Sequence, residues 1–165
     1  ELRAILESDD TAISISVSET KIKFQNSSMT LTSKVIDGSF PDYTRVIPKD
    51  NVKKMEVDAT YFAQSVDRVS TISSERARAV KLNLHKNQLV LSVNSPDSGA
   101  ADEELLVEYD DEELEIGFNA KYLQEISAQV GGSNALFLFN TPSDPVLMQE
   151  ATDDSAIYVV MPMRV

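Results

Sequence analysis

His85 is the only imidazole among the 165 residues, and so the only side chain whose ordinary charge change falls near neutral pH. Use as a general base would require a Ser, Cys or second His in a recognisable pairing, and none stands in such a pattern around it. Beside Lys86 and Asn87, it reads instead as a solvated residue at a hairpin turn. The absence of Cys removes disulfides, thiolate zinc sites and catalytic thiols together, and fits a reducing compartment. A phosphate cradle places its glycines before a helix, whereas Gly131-Gly132 follows one and reads as a helix stop. Asp97, Asp102, Glu103, Glu104, Glu108, Asp110, Asp111, Glu112, Glu113 and Glu115 follow one another with no Lys or Arg between them. Residues 110–115 lack both the alternating ligands and the central Gly of a Ca²⁺ loop, so no metal and no cofactor are expected. The run is either a solvated face or a surface that docks a basic partner.

The chemistry that remains is association. Ile157-Tyr158-Val159-Val160-Met161-Pro162-Met163-Arg164-Val165 begins as a strand. It loses its ladder donor at Pro162, where two flexible Met side chains and a cation appear. These nine residues read either as a last core strand with a frayed tail or as a docking surface.

The elements that would position this surface are short strands and two helices. Hydrophobic content of 42% is enough for one core and part of a second, and no apolar run approaches the 18 residues of a membrane span. A soluble, cytoplasmic protein is expected. The balance of 15 basic to 27 acidic residues, net -12, argues against a tight phosphate binder. Residues 1–6 look like the end of a helix; residues 13–17, 21–24 and 29–32 follow as half-buried antiparallel strands with turns at 18–20 and 26–28. Breaks at residues 38–43 and 48–51 put a domain boundary near residue 50. Beyond it come a strand at 54–57 and a helix capped by Asp58 with Phe62, Val66 and Val69 on one face. A hairpin joins residues 78–84 to 89–93, and strands follow at 105–109 and 114–118. Asn119 caps a second helix bearing Leu123, Ile126 and Val130, and strands at 135–139, 146–149 and 157–161 finish the chain. Asp58-Ala59-Thr60-Tyr61-Phe62 and Asn119-Ala120-Lys121-Tyr122-Leu123 repeat one pattern of cap, Ala, Tyr and bulky apolar residue. The expected class is therefore α+β, built from repeated helix-plus-antiparallel-strand units.

Four pieces taken in order resemble the bacterial DNA polymerase III beta subunit, the sliding clamp family. They are Val35-Ile36-Asp37-Gly38 with Phe40-Pro41-Asp42-Tyr43, then Arg45-Val46-Ile47-Pro48, then Ile116-Gly117-Phe118-Asn119 with Tyr122, and the terminal Tyr158-Val159-Val160-Met161-Pro162-Met163-Arg164. The resemblance covers the whole chain. It implies a DNA-clamp fold with helices on one face of the sheets, residues 1–50 forming the second half of the family's middle domain and 51–165 the complete third domain. It also implies a non-catalytic processivity factor, a homodimeric ring in the full-length protein that encircles duplex DNA. Further implied partners are the DNA polymerase III alpha subunit, the clamp loader, and other polymerases and repair proteins that dock through linear peptide motifs.

Residue by residue, the resemblance assigns peptide binding to Pro41, Arg45, Val46, Asn119, Tyr122, Val159, Val160, Met161, Pro162, Met163 and Arg164. One of Val159 and Val160 is expected to fill the core, because neighbouring strand residues face opposite ways. Arg68 and Lys121 are the helical cations expected to face DNA, and Ile72, Asp97, Asp102 and Glu103 the residues expected at the subunit interface. Ser98-Gly99-Ala100-Ala101 is less acidic than the family can be there, and part of the family's peptide pocket comes from the first half of the middle domain, outside this sequence. Two other classes compete. A generic beta-rich peptide-binding module with no DNA role would share the terminal groove, and an enzyme would need a polar constellation around His85.

Overall fold

Runs in which Ile, Val, Phe and Leu alternate with Ser, Thr and Lys pair into an antiparallel meander, β1 (Ser14–Val17), β2 (Lys21–Gln25) and β3 (Thr30–Lys34). Its turns fall where the polar residues cluster. Ser18 N–H donates to the Lys21 carbonyl at 2.8 Å, and Asn26 Oδ1 accepts from Met29 N–H at 2.7 Å. The computed structural model describes residues 12–73, 78–130 and 134–165; the expected helix end at 1–6 and the Gly131-Gly132 stop lie outside them. Two compact units divide between Pro41 and Asp42. In the first, Ile22, Phe24 and Leu31 are half-buried, while Ile15 and Val17 stand exposed.

The second unit opens with a 3-10 turn at Tyr43–Arg45 and continues through β4 (Lys53–Asp58), α1 (Ala59–Ser70), β5 (Ala79–His85), β6 (Gln88–Ser95), β7 (Gly99–Leu106) and β8 (Glu108–Tyr109). It ends with β9 (Leu114–Asn119), α2 (Ala120–Ser127), β10 (Asn134–Phe139), β11 (Val146–Glu150) and β12 (Ile157–Val160). The strands form a five-stranded sheet, β12-β11-β10-β4-β8, and a four-stranded sheet, β7-β6-β5-β9, antiparallel in every pairing. Period-two burial sets the register: Val80, Leu82 and Leu84 of β5 and Leu89, Leu91 and Val93 of β6 face the core, with half-buried Lys81 and Asn83 between them.

Both helices start as the repeated pattern predicts. Asp58 Oδ1 accepts from Tyr61 N–H at 2.7 Å, and Asn119 Oδ1 from Lys121 N–H at 2.9 Å, each satisfying a donor the helix leaves free. Phe62, Val66 and Val69 are buried as one stripe of α1, and Phe62 meets Phe137 edge to face at 5.2 Å between ring centroids. Burying a Phe of this kind contributes roughly 1.5–3 kcal/mol. The helices also touch each other, Gln124 Nε2 donating to Asp67 Oδ1 at 3.0 Å.

The chain itself joins the two sheets at both edges. At one seam, β7 passes into β8 through buried Val107; Val107 N–H donates to the Asn87 carbonyl at 3.3 Å, and Asn87 N–H to the Tyr109 carbonyl at 2.8 Å. Residues 105–109, expected as one strand, are therefore split between two sheets, and β7 reaches back to Gly99 through residues expected as an acidic run. The cause is tertiary. Pairing with all of β6 from Gln88 to Ser95 draws the acidic residues into an edge strand despite their low strand propensity. At the other seam, β12 ends at Val160, Pro162 interrupts the ladder, and Met163 N–H donates to the Gly117 carbonyl of β9 at 2.8 Å.

Candidate functional site

With the Asn119 cap fixing its start, α2 presents Tyr122 and Ile126 on one face, four residues apart. They meet β12 and the residue after it. Tyr122, Glu125, Ile126, Val159, Val160 and Met161 line a hollow of about 310 Å³. Val160 is 4% exposed and belongs to the core, Val159 is half-buried, and Tyr122 and Met161 are exposed at its rim. Pairing of Val159 with Leu147 and of Val160 with Val146 fixes which of the two faces inward.

Met161 also lines a second hollow of about 420 Å³ between residues 45–51 and the β10–β11 loop, where Asn140, Asp144 and Pro145 contribute. The turn carrying Arg45 and Val46 is built locally. Asp42 Oδ1 accepts from Thr44 N–H at 3.2 Å and from its hydroxyl at 2.6 Å, while Asp42 Oδ2 pairs with Arg45 Nε at 3.2 Å. Asn51 Nδ2 then ties the turn to the loop, donating to the Leu138 and Pro145 carbonyls at 2.8 Å each. An exposed Met between two apolar hollows, with a tethered guanidinium nearby, suits Leu-like or aromatic anchors of an extended peptide.

The sequence nominees do not all share one wall. Arg45, Val46, Tyr122, Val159, Val160 and Met161 gather around the two hollows that Met161 divides. Pro162, Met163 and Arg164 line a different one, of about 520 Å³, with Gly117, Pro142 and Val165. Asn119 acts through its cap, and exposed Pro41 closes the first unit and is described with that unit alone.

Arg68 and Glu103, expected on different functional surfaces, are partners of each other. Arg68 Nε donates to Glu103 Oε2 at 3.0 Å and its Nη2 reaches Glu103 Oε1, which also accepts from the Ser65 hydroxyl at 2.7 Å. The Arg68 hydrogen bond holds the Glu103 carboxyl below the ordinary carboxylate range, with burial opposing and Ser65 assisting. The same bond raises Arg68. Lys121 is exposed and lies 3.6 Å from Glu125. Ile72 packs half-buried on the core, Asp97 stands at the exposed β6–β7 turn, and Asp102 points outward from β7. Among the described residues no group of three or more His, Cys, Asp or Glu could hold a metal ion, and no helix is long and apolar enough to cross a membrane. His85 closes β5 with Nδ1 3.0 Å from Glu113 Oε1.

Sequence reasoning missed Ile126 as a lining residue, although its spacing from Tyr122 was a usable signal. It also missed Pro48 and, across from it, Asn140, Asp144 and Pro145, which the long-range pairing of β4 with β10 and the Asn51 hydrogen bonds bring together.

A family model described as DNA polymerase III beta subunit, C-terminal domain, matches residues 44–164. The chain is 46% identical over 165 residues to the beta sliding clamp of Caulobacter vibrioides, covering 100% of this chain and 44% of that protein. It is 34% identical over 164 residues to the beta sliding clamp of Escherichia coli K12, covering 99% and 45%. The crystal structure of a sliding clamp from Bartonella birtlesii bound to griselimycin matches with a TM-score of 0.91 at 45% identity, covering 99% of this chain and 44% of that one. The chain thus spans less than half the length of the relatives it matches.

Proposed function

The chain belongs to the DNA polymerase III beta subunit family, the sliding clamps, and from that premise we propose that it serves DNA replication as part of a non-catalytic, cytoplasmic processivity factor. In the full-length protein two subunits close a homodimeric ring around duplex DNA. Residues 1–50 supply the second half of a middle domain and 51–165 a whole third domain. Exposed Ile15 and Val17 support the first assignment, since a sheet that leaves such side chains uncovered lacks part of its core. The acidic net charge supports sliding over gripping, because each phosphate neutralised by a cation adds affinity that would hold the ring in place. Arg68 and Lys121 are the cations assigned to the DNA side. Ile72, Asp97, Asp102 and Glu103 are assigned to the contact with a neighbouring subunit's basic surface.

The two hollows divided by Met161 are the peptide site, and their exposed apolar lining beside a tethered Arg45 is the observation that carries this reading. Linear peptides of the DNA polymerase III alpha subunit, the clamp loader, and other polymerases and repair proteins would anchor Leu-like or aromatic side chains there. Griselimycin is bound by the Bartonella birtlesii relative; on this proposal it would occupy the same two hollows in this protein, which makes it the probe. Two experiments on the full-length protein test the proposal. Protein assembled on nicked circular duplex DNA should survive gel filtration with it and be released when the circle is cut to a linear molecule; equal retention on both forms sinks the ring. Met161→Ala combined with removal of residues 163–165 should weaken griselimycin in a titration without unfolding the domain; unchanged affinity sinks the pocket.

A further inference from the structure

Gly117 is the one residue of β9 whose outward face is covered by the chain's own last residues. A Cβ placed on it would lie 2.4 and 2.6 Å from the two Val165 methyls and 2.8 Å from the Met163 carbonyl oxygen, closer than atoms can approach. The same glycine's carbonyl accepts the Met163 N–H at 2.8 Å, the single bridge between this segment and β9. Met161 lies between two fixed points. One is Val160, buried and paired with Val146; the other is Met163 on Gly117. Pro162, with its φ locked, is the only other residue between these fixed points.

We propose that Gly117 is a positioning residue for the peptide site: it seats residues 163–165 on β9 and thereby fixes the exposed Met161 side chain between the two hollows it serves. Gly117 does not line either of those hollows, so its effect passes through the segment it holds. The role deepens the peptide-site proposal and rests on it. A side chain fixed before a ligand arrives spares the ordering cost of binding, and an unseated segment restores that cost.

The test compares full-length wild type with Gly117→Ala, Val165→Gly and the double variant. Hydrogen–deuterium exchange of residues 157–165 reports the seat, and titration with griselimycin reports the site. Gly117→Ala is expected to speed exchange of that segment about tenfold while the β5 and β6 amides stay protected, and to weaken griselimycin about tenfold. Adding Val165→Gly leaves the new methyl 2.8 Å from the Met163 carbonyl oxygen, so the double variant should bind no better than Gly117→Ala, whereas Val165→Gly alone removes the side chain lying on Gly117 and should loosen the same segment with β9 unchanged. Should Gly117→Ala fold poorly, Val165→Asp, a change at an exposed residue beside Glu115, should unseat the segment and weaken griselimycin at least about threefold. Unchanged exchange in Gly117→Ala, unchanged affinity despite faster exchange, or no loosening of the segment in Val165→Gly each overturns the role of Gly117. Failure of the wild type to bind griselimycin instead overturns the peptide site, and the positioning role with it.

Discussion

The two seams between the sheets are closed by opposite means. Where β7 becomes β8, Leu105, Val107 and Tyr109 are all buried, two backbone hydrogen bonds tie the crossing to the β5–β6 turn, and the Tyr109 hydroxyl donates to the Glu112 carbonyl. Where β12 crosses to β9, one backbone hydrogen bond and the contact of Val165 with Gly117 hold the segment, and Met161, Met163 and Val165 remain exposed. The first seam is part of the core, and its residues are spent on stability. The second carries little of the core, so its side chains are free to meet a partner.

The comparison breaks or sharpens according to four measurements. Leu105→Ala removes a side chain that is 2% exposed at the buried seam and should cost about 2–5 kcal/mol in urea unfolding; a cost below about 1 kcal/mol would erase the contrast. Tyr109→Phe removes one hydrogen bond and should cost about 0.5–1.5 kcal/mol at neutral pH. Burial, with Asp111 and Glu112 adding to it, pushes the Tyr109 phenol from 10.0 to about 12. Because the folded value lies above the unfolded one, its stabilising contribution is present below about pH 10 and lost as the pH rises towards 12. The alkaline limb of a stability profile should therefore be flatter in the Phe variant.

Glu103→Gln acts at the opposite end of the pH scale. The Glu103 carboxyl is depressed in the folded protein, so its contribution is present above the ordinary carboxylate range and disappears as the pH falls through the folded value. The variant should lose less stability on acidification than the wild type, by a margin smaller than either effect at the buried seam because the Arg68 partner is half exposed. The smallest effect belongs to the second seam. Met161→Ala, at a side chain 64% exposed, should stay within about 0.5 kcal/mol of wild type in the same urea experiment while weakening griselimycin. A larger stability loss there would make Met161 a core residue and remove the contrast between the seams.

The parts of the fold legible in the sequence were those written in local chemistry. Asp58 and Asn119 announce both helices because capping needs a particular side chain just before the first turn, and Phe62, Val66 and Val69 lie on the buried face that their spacing predicts. β7 was illegible because its acidic residues become a strand only through pairing with β6, a partner their own pattern does not name. The break at Val107 was hidden for a related reason: Leu105 and Tyr109 alternate correctly, and only the hydrogen bonds to Asn87 divide them between sheets. At the site, the family resemblance marked Tyr122, and the two Met residues around Pro162 marked Met161. The far wall at Asn140 to Pro145 and the seat at Gly117 depend on contacts across the fold, and a glycine in a strand does not say what lies over it.

The outer edge of β7 has one more consequence. Strand edges with free backbone groups recruit other strands, including those of identical molecules, and uncontrolled recruitment ends in aggregation. Here that edge carries Asp102 and Glu104 outward, with Asp97 at its turn. Two such edges brought side by side would oppose carboxylate to carboxylate, which cross-strand pairs disfavour. The strand thus repels its own likeness, which makes the acidic run a safeguard against self-recruitment.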